Sequence, residues 1–412
     1  MNNGWTGGQY SFVRFIFGAY LCLHFIELVP WAEETFSATG VLADGTASPY
    51  LRLFPNVLAV FDAPAFVTIF VASAIPAAVL FAVGYLDRSA AVWIWYVLAC
   101  LFGRNPLTLN PSLPFVGWLL LAHACLPPAP FGSLRALGRT NPDAGWHYPR
   151  PIFAALWIVM AVAYSYSGYT KLVSPSWIDG TAVMHLLQNP LARPTALRDV
   201  LLTAPDWAIR GMTWSALGLE LLFAPLALIR RARPWIWFAM LMMHLGLMTL
   251  IDFADLSAGM IALHLFSFNP DWIPARSGAS LRLFYDGHCG LCHRSVRFLL
   301  AEDRAAVYSF GALQSDAFEK AVPPDERREL PDSIVVIDPE GKRLIRSTAI
   351  ADVLLRLGGL WHVLGVVLCL VPRPLRDAGY RGVAAVRHRV FRRPADACPI
   401  MPAEYRKRFM DQ

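Results

Sequence analysis

Residues 281–300 read Leu-Arg-Leu-Phe-Tyr-Asp-Gly-His-Cys-Gly-Leu-Cys-His-Arg-Ser-Val-Arg-Phe-Leu-Leu. The apolar run Leu281–Tyr285 has the composition of a short buried strand, and Asp286-Gly287 is a turn pair. The amphipathic stretch 295–300 follows, so the chain is predicted to pass from strand through a tight turn into a helix. That arrangement puts Cys289 and Cys292 at the helix N-terminus. Amide dipoles there stabilise thiolate, the form that attacks disulfides. No other stretch of the chain specifies a chemistry so directly.

Charge density rises after a short linker at 271–280. Downstream of the cysteines the pattern predicts a helix over 292–303 and a second short strand at 307–310. A β-branched strand at 333–338 is turned by Pro339-Glu340-Gly341 into 343–346, and a helix follows over 348–357. Strand, Cys-x-x-Cys helix, strand, helix, hairpin and helix is the order of a thioredoxin-like α/β unit. The apolar run 360–371 is short for a membrane span and reads as a helix packed on the sheet or on the membrane.

The chain upstream has a different character. Of 412 residues, 56% are hydrophobic and 16% charged, and the apolar excess lies before residue 275. A mean hydropathy of +0.43 is too high for one soluble globule. Stretches of about 20 apolar residues cross a bilayer. By that rule, spans are expected near 11–30, 62–84, 90–103, 113–127, 151–172, 208–229, 234–251 and 256–269. The expected fold is therefore an α-helical multi-span membrane domain of about eight spans over 1–275, followed by a thioredoxin-like α/β domain over 281–412. Residues 1–10 lack a basic region and a small-residue cleavage site, so the first run reads as a retained span.

Arginines give the orientation. Arg135, Arg139 and Arg150 fall in one loop and Arg230, Arg231 and Arg233 in another. With eight spans both loops share a side with both termini, and the positive-inside rule makes that side cytoplasmic. Loops 31–55 and 173–207 then face outward, with Trp31, Trp177, Trp207 and Trp272 as interfacial anchors. The net charge of +6 belongs to this loop pattern. Membrane lipid is the expected partner, and nucleic acid is not, since no nucleic-acid motif accompanies the charge.

Of the seven cysteines only Cys289 and Cys292 are closely spaced. Cys22, Cys100 and Cys125 lie in apolar spans and Cys369 and Cys398 near the C-terminus, which is no secreted disulfide framework. The functional reading of the pair is a dithiol/disulfide couple, with Cys289, nearer the helix end and solvent, as nucleophile and Cys292 as resolving thiol. Asp286 is a proton acceptor or a turn former, and His288 and His293 would lower the thiol pKa when protonated. The alternatives are an inert pair or a zinc half-site completed by His or Cys398. Zinc sites usually show a second paired motif, and without one no metal is expected.

Tyr285-Asp286-Gly287-x-Cys289-x-x-Cys292 resembles the DCC family of thiol-disulfide oxidoreductases, and Asp286, Cys289 and Cys292 match its Asp-Cys-Cys motif one by one. The tail Val371-Pro372-Arg373-Pro374-Leu375-Arg376-Asp377-Ala378-Gly379-Tyr380, with Arg387, Cys398 and Arg408-Phe409, resembles the family's C-terminal pattern. The likeness covers about 281–412. It implies a thioredoxin-like fold and a reaction type, dithiol exchange, without a target or a recycling partner; a peptide or protein thiol is the expected substrate.

In the membrane half, Lys171 is the first lysine of the chain and the next is Lys320. A lysine near a dry interior can serve as a base, while a lysine at a helix end more commonly snorkels. Gly168-Tyr169-Thr170-Lys171-Leu172, then Trp177 and Gly180, resembles a segment of the vitamin K-dependent γ-carboxylases and their bacterial relatives that carry the HTTM domain. Met243-His244-Leu245, Phe253, Leu265-Phe266 and Pro270-Asp271-Trp272 resemble a second segment, and the likeness runs over about 8–275. It implies that Lys171 corresponds to the base that deprotonates a reduced quinone cofactor, with His244 as polar lining. The γ-carboxylases carry a large luminal domain that this chain replaces with the redox domain, so glutamate carboxylation and vitamin K are not carried over.

Other intramembrane polar groups give weaker signals. Glu220 is mid-span, where a carboxylate is costly, and joins Lys171 and His244 as a cofactor-lining candidate, with a structural ion pair as its default role. Arg14 reads as interfacial, His24 and Glu27 share a face at i,i+3, and Asp252 and Asp255 sit at a helix junction. His123 and His264 are hydrogen-bonders or catalytic groups. The expected function is a membrane-bound thiol-disulfide oxidoreductase of bacterial inner-membrane type, its redox domain cytoplasmic, with a second, quinone-linked activity in the membrane half. The alternative is a non-catalytic membrane scaffold that recruits a peptide maturation substrate to the redox domain.

Overall fold

Proline and glycine punctuate the apolar first two thirds of the chain into helices. A computed structural model describes residues 3–108, 110–278, 280–331, 333–391 and 402–410. The principal helices before residue 270 are α1 Gly7–Leu28, α2 Pro64–Ala72, α3 Ala74–Val83, α4 Asp87–Arg104, α5 Leu113–Ala124, α6 Arg150–Lys171, α7 Asp206–Leu221, α8 Phe223–Leu228, α9 Arg233–Leu250 and α10 Ala254–Ser267. Prolines in the first turns of α2, α5, α6 and α9 preset φ where no amide donor is needed. Helix α3 stops at Gly84, whose φ of 71° only glycine adopts freely.

Helix therefore occupies each of the eight predicted apolar stretches. Among the described residues, three segments, Gly7–Phe36, Pro64–Val83 and Arg150–Lys171, are long and apolar enough to cross a membrane. The other stretches are cut short or diluted. Helix α7 ends at Leu221 and carries Asp206, Arg210 and Glu220, while α4 carries Asp87, Arg88 and Arg104.

One compact unit comprises residues 13–126 and 149–268. In it α1 buries Phe17, Leu21 and Phe25. Phe17 meets Phe81 and Phe266 edge-on, at 5.7 and 5.5 Å. Gly18 allows the close approach, because a Cβ there would lie 2.5 Å from Ala82 Cβ. Arg14 is not interfacial. It is 1% exposed, and Arg14 Nη1 lies 3.4 Å from Asp87 Oδ2, which is also 3.3 Å from His123 Nε2. That buried cluster ties α1, α4 and α5 together, since an unpaired charge in such a place is costly.

The second unit gathers residues 3–12, the loop 127–148 and the described residues from 269 onward. Packing thus divides the chain differently from the sequence boundary near 275. Its sheet is built from β1 Leu281–Tyr285, β2 Tyr308–Ala312, β3 Val335–Ile337 and β4 Arg343–Ile345, with α11 Gly290–Glu302, α12 Arg346–Leu357, α13 Gly359–Leu370 and α14 Arg373–Val390. The strand order is β2-β1-β3-β4. Strand β1 pairs parallel with β2, Leu281 opposite Tyr308, and antiparallel with β3, Leu283 opposite Val336. Strands β3 and β4 form the expected hairpin, Val336 opposite Leu344.

Strand β1 is central and covered on both faces, which is why it reads as a nearly continuous apolar run. One face packs Val296, Leu299 and Leu300 of α11 and Ala349, Val353 and Leu357 of α12, at the i,i+3 and i,i+4 spacing of helical stripes. The other packs Phe284 and Val335 against Phe318 and Val322. Near the C-terminus the chain returns to the β2 edge, where Phe310 N donates to Arg408 O at 2.7 Å and Met410 N to Phe310 O at 2.9 Å. Glu302, buried at the end of α11, holds the N-terminal segment by accepting from Gly8 N at 2.8 Å, from Trp361 Nε1 at 2.6 Å and from the Thr6 hydroxyl.

Candidate functional site

The turn after β1 places the cysteines. Asp286 Oδ1 accepts from His288 N at 2.9 Å and from Gln314 Nε2 at 3.1 Å, while Gln314 Oε1 accepts from Gly287 N at 3.1 Å. Cys289 N donates to Asp286 O at 3.2 Å, closing the turn. Cys289 is the N-cap of α11, with extended backbone (φ −104°, ψ 117°), and Cys292 is one turn further in. His293 Nε2 lies 2.9 Å from Gly287 O, so that nitrogen carries the proton, and the ring packs edge-on against Tyr285. His288 is half exposed, its Nδ1 3.8 Å from Asp286 Oδ1.

Both cysteines are free thiols. Their exposure is the reverse of the sequence expectation. Cys289 is 0% exposed, whereas Cys292 lies in the wall of a cavity of about 520 Å³. The N-cap backbone is not helical, so helical phase does not govern where the Cys289 side chain goes. Burial pushes the Cys292 thiol up to about 12, and neighbouring Cys289 adds to this, while the Arg387 guanidinium and the Asp286 amide act in the opposite sense. Arg387 of α14 reaches Asp286, Nη2 to Oδ2 3.5 Å, with both side chains largely buried.

The structure therefore brings Asp286, Cys289 and Cys292 together, as the motif requires, and adds Gln314, Arg376 and Arg387. The arginines stand in the C-terminal tail pattern, but nothing in their spacing says that α14 reaches the cysteine turn. Among the described residues, no group of three His, Cys, Asp or Glu side chains converges as metal ligands. Cys398 lies outside the described residues.

In the helical unit Lys171 closes α6. Its Nζ donates to Ser167 Oγ at 3.1 Å, forms an ion pair with Glu220, and lies 4.8 Å from the centre of the Trp177 ring. Glu220 is delivered by the break between α7 and α8. Ser165 Oγ satisfies that break, donating to the carbonyls of Glu220 and Leu221 at 3.3 and 3.2 Å and accepting from Ala224 N at 3.0 Å. Gly168 seats it, since a Cβ there would be 2.7 Å from Leu221 N.

His244 belongs to a neighbouring cluster within electrostatic reach of the first, Lys171 acting on His244 and Glu220 on Tyr164. Tyr164 Oη lies 2.8 Å from both His244 Nε2 and His264 Nε2. The hydroxyl has one proton to give, so at least one imidazole carries its proton on Nε2. Tyr164 and Lys171 are two helical turns apart, about 10 Å along α6. A cavity of about 480 Å³ in this unit is lined by His24, Trp31, Tyr50, Phe54 and Asp255, among others, and not by Lys171, Glu220 or His244. His24 pairs with Asp255, Nδ1 to Oδ2 2.8 Å, rather than with Glu27, which is exposed.

The model of the HTTM domain matches residues 7–272, and that of the DCC1-like thiol-disulfide oxidoreductase matches residues 283–393. YuxK of Bacillus subtilis is 33% identical over 132 residues, covering 31% of this chain and 92% of that protein. A chloroplastic DCC family protein of Arabidopsis thaliana is 30% identical over 118 residues, 29% of this chain and 68% of that protein. No solved structure matches the chain. By these matches the chain belongs to the HTTM domain family and carries, at its C-terminal end, a thiol-disulfide oxidoreductase domain of the DCC family.

Proposed function

We propose that this protein is a membrane-anchored thiol-disulfide oxidoreductase in which Cys289 and Cys292 cycle between dithiol and disulfide. The observation that carries the reading is the pair of free thiols at the start of α11, with the Asp286–Arg387 ion pair alongside and a cavity reaching Cys292. A mixed sheet of order β2-β1-β3-β4, with the cysteine helix after β1, supports a thioredoxin-like unit. The deciding measurement is the reduction potential of the pair in the intact protein. A couple that stays reduced at cellular poise, well above about −200 mV, sinks the reading.

Packing also bears on topology. Residues 3–12, the loop 127–148 and the described residues from 269 belong to one unit, which supports their lying on one side of the membrane. Residues 13–126 and 149–268 would then each cross an even number of times, a parity that four spans in each half satisfy. With the loop arginines, this reads as an inner-membrane protein whose redox domain is cytoplasmic. Reporter fusions after residues 50, 140 and 190 test it, and equal signals at 50 and 140 would overturn it.

A reduced quinone needs an apolar slot beside its base. The aromatic cavity of the helical unit is lined by His24 and Asp255, and Lys171 is held by Glu220 and Ser167. A quinone in that aromatic cavity would therefore lie away from Lys171, Glu220 and His244, none of which lines it. The satisfied Lys171 favours the second reading, in which the helical unit anchors and recruits. Lys171→Ala separates the two: loss of a membrane-domain activity in a folded protein supports catalysis, and full retention supports the anchor.

A further inference from the structure

We propose that Cys292, not Cys289, is the thiol that exchanges with substrate, and that its partner is a small apolar disulfide bearing an acidic group, bound in the cavity against Arg376. This rests on the thiol-disulfide reading and goes beyond it, since it names the reacting sulfur and the class of substrate.

Access decides the sulfur. Disulfide exchange requires a sulfur to come into van der Waals contact with the sulfur it attacks. Cys289 is wholly buried and contributes nothing to the cavity wall, whereas Cys292 is part of it. A volume of about 520 Å³ suits a small molecule. Most of the wall is apolar, including Leu283, Val296, Ile350 and Val383. Two arginines interrupt it, Arg376 and Arg387, both from α14.

The arginines are not equivalent. Arg387 is paired with Asp286. Arg376 has only long contacts to neutral groups, Nη2 to Thr348 Oγ1 at 3.5 Å and Nη1 to Cys369 Sγ at 3.7 Å, and its buried Nε has no hydrogen-bond partner. Among the described residues no carboxylate pairs with it. A guanidinium so placed beside an apolar wall matches a ligand with an acidic group and an apolar body.

The exchange balances without a further reagent. Cys292 attacks as the small thiolate fraction, its proton released to solvent. Its sulfur bonds to one sulfur of the substrate disulfide, the substrate S–S bond breaks, and the departing thiolate takes up a proton from solvent. Cys289 then bonds to Cys292 and displaces the second substrate thiolate, which takes the Cys289 proton. Two electrons pass from the dithiol to the substrate, leaving a Cys289–Cys292 disulfide and two substrate thiols.

The test uses full-length protein in detergent and 5,5′-dithiobis(2-nitrobenzoate), an apolar aromatic disulfide with carboxylates, with adducts located by peptide mass because other cysteines are exposed. Cys289→Ser and Cys289→Ala should each accumulate the thionitrobenzoate adduct on Cys292, and Cys292→Ser should form none on Cys289. Circular dichroism confirms that each variant is folded. Arg376→Ala should lower the ratio of the rate with this probe to that with bis(2-hydroxyethyl) disulfide at Cys292, by about tenfold. An adduct on Cys289 in Cys292→Ser, or none on Cys292 in either Cys289 variant, overturns the assignment of the sulfur. An unchanged ratio overturns the acidic substrate. A wild-type protein that takes the adduct on Cys292 but never resolves it through Cys289 sinks the exchange reading instead, and leaves the site standing.

Discussion

Arg387 and Asp286 form an ion pair 3.5 Å apart, with side chains only 4% and 12% exposed, although 101 positions separate them in the chain. Asp286 belongs to the turn that holds the cysteines, and Arg387 to the C-terminal helix α14, so the pair fastens that helix to the cysteine turn. Removing Arg387 takes this counter-ion from a largely buried carboxylate. Arg387→Ala should therefore cost about 3–5 kcal/mol, read as a fall in thermal midpoint. It should also slow alkylation of Cys292, because this guanidinium favours the thiolate. Unchanged alkylation would show that Arg387 acts on the fold alone.

Cys292 titrates high, at about 12, because burial disfavours its thiolate. The thiolate fraction then grows tenfold per pH unit over the range accessible to experiment. Alkylation of Cys292 by iodoacetamide should rise about tenfold per unit from pH 7 to pH 10, without a plateau. The folded-state value lies well above that of an ordinary thiol, so the native state holds this proton more tightly than the unfolded chain. That contribution to stability is complete below pH 9 and is lost as pH rises toward about 12. Thermal midpoints of wild type and Cys292→Ala should converge over that window, and a constant difference would contradict the assignment.

Glu302 draws three donors onto one buried carboxylate, from Gly8, Thr6 and Trp361. Glu302→Ala leaves all of them unmet, at about 1–3 kcal/mol for each buried group. Hydrogen exchange should accelerate at Gly8 and through residues 5–12. Protection that persists there would mean that Glu302 is not what holds the N-terminal segment.

Lys171 and Glu220 are coupled, and Glu220 is the more buried of the two. Lys171→Met alone should destabilise by about 3–5 kcal/mol, and the double change with Glu220→Leu should recover most of the loss. The double-mutant cycle is read from thermal midpoints. Additive losses would show that the pair is not coupled in the folded protein.

Gly168 lets α6 approach the α7–α8 break, with backbone on the far side of the contact. Gly168→Ala should cost about 1–3 kcal/mol, since backbone cannot move aside as a flexible side chain can. A thermal midpoint equal to wild type would place the contact elsewhere.

Local signals made much of this molecule legible. Period, proline and glycine placed the helices and the β3–β4 hairpin, because each depends on residues a few positions apart. The Asp286 turn was readable for the same reason. Exposure of the two thiols was not, because Cys289 caps α11 with a non-helical backbone and leaves the helical phase of Cys292. The partners of His24 and Arg14 were likewise invisible, since Asp255 and Asp87 lie 231 and 73 positions away.

By itself, the sequence determined the family, the helical first two thirds, the strand-turn-helix that carries Cys289 and Cys292, and the chemistry of a dithiol. Those are properties of composition, motif and short-range periodicity. Only the tertiary structure decided that Cys292 faces a cavity while Cys289 is buried, that Arg387 meets Asp286, and that Lys171 is bound to Glu220. It also decided that residues 3–12 and the loop 127–148 pack with the C-terminal domain. Each of these depends on burial and on contacts between distant segments, where the energetic demand to pair a buried charge or fill an apolar face selects the partner.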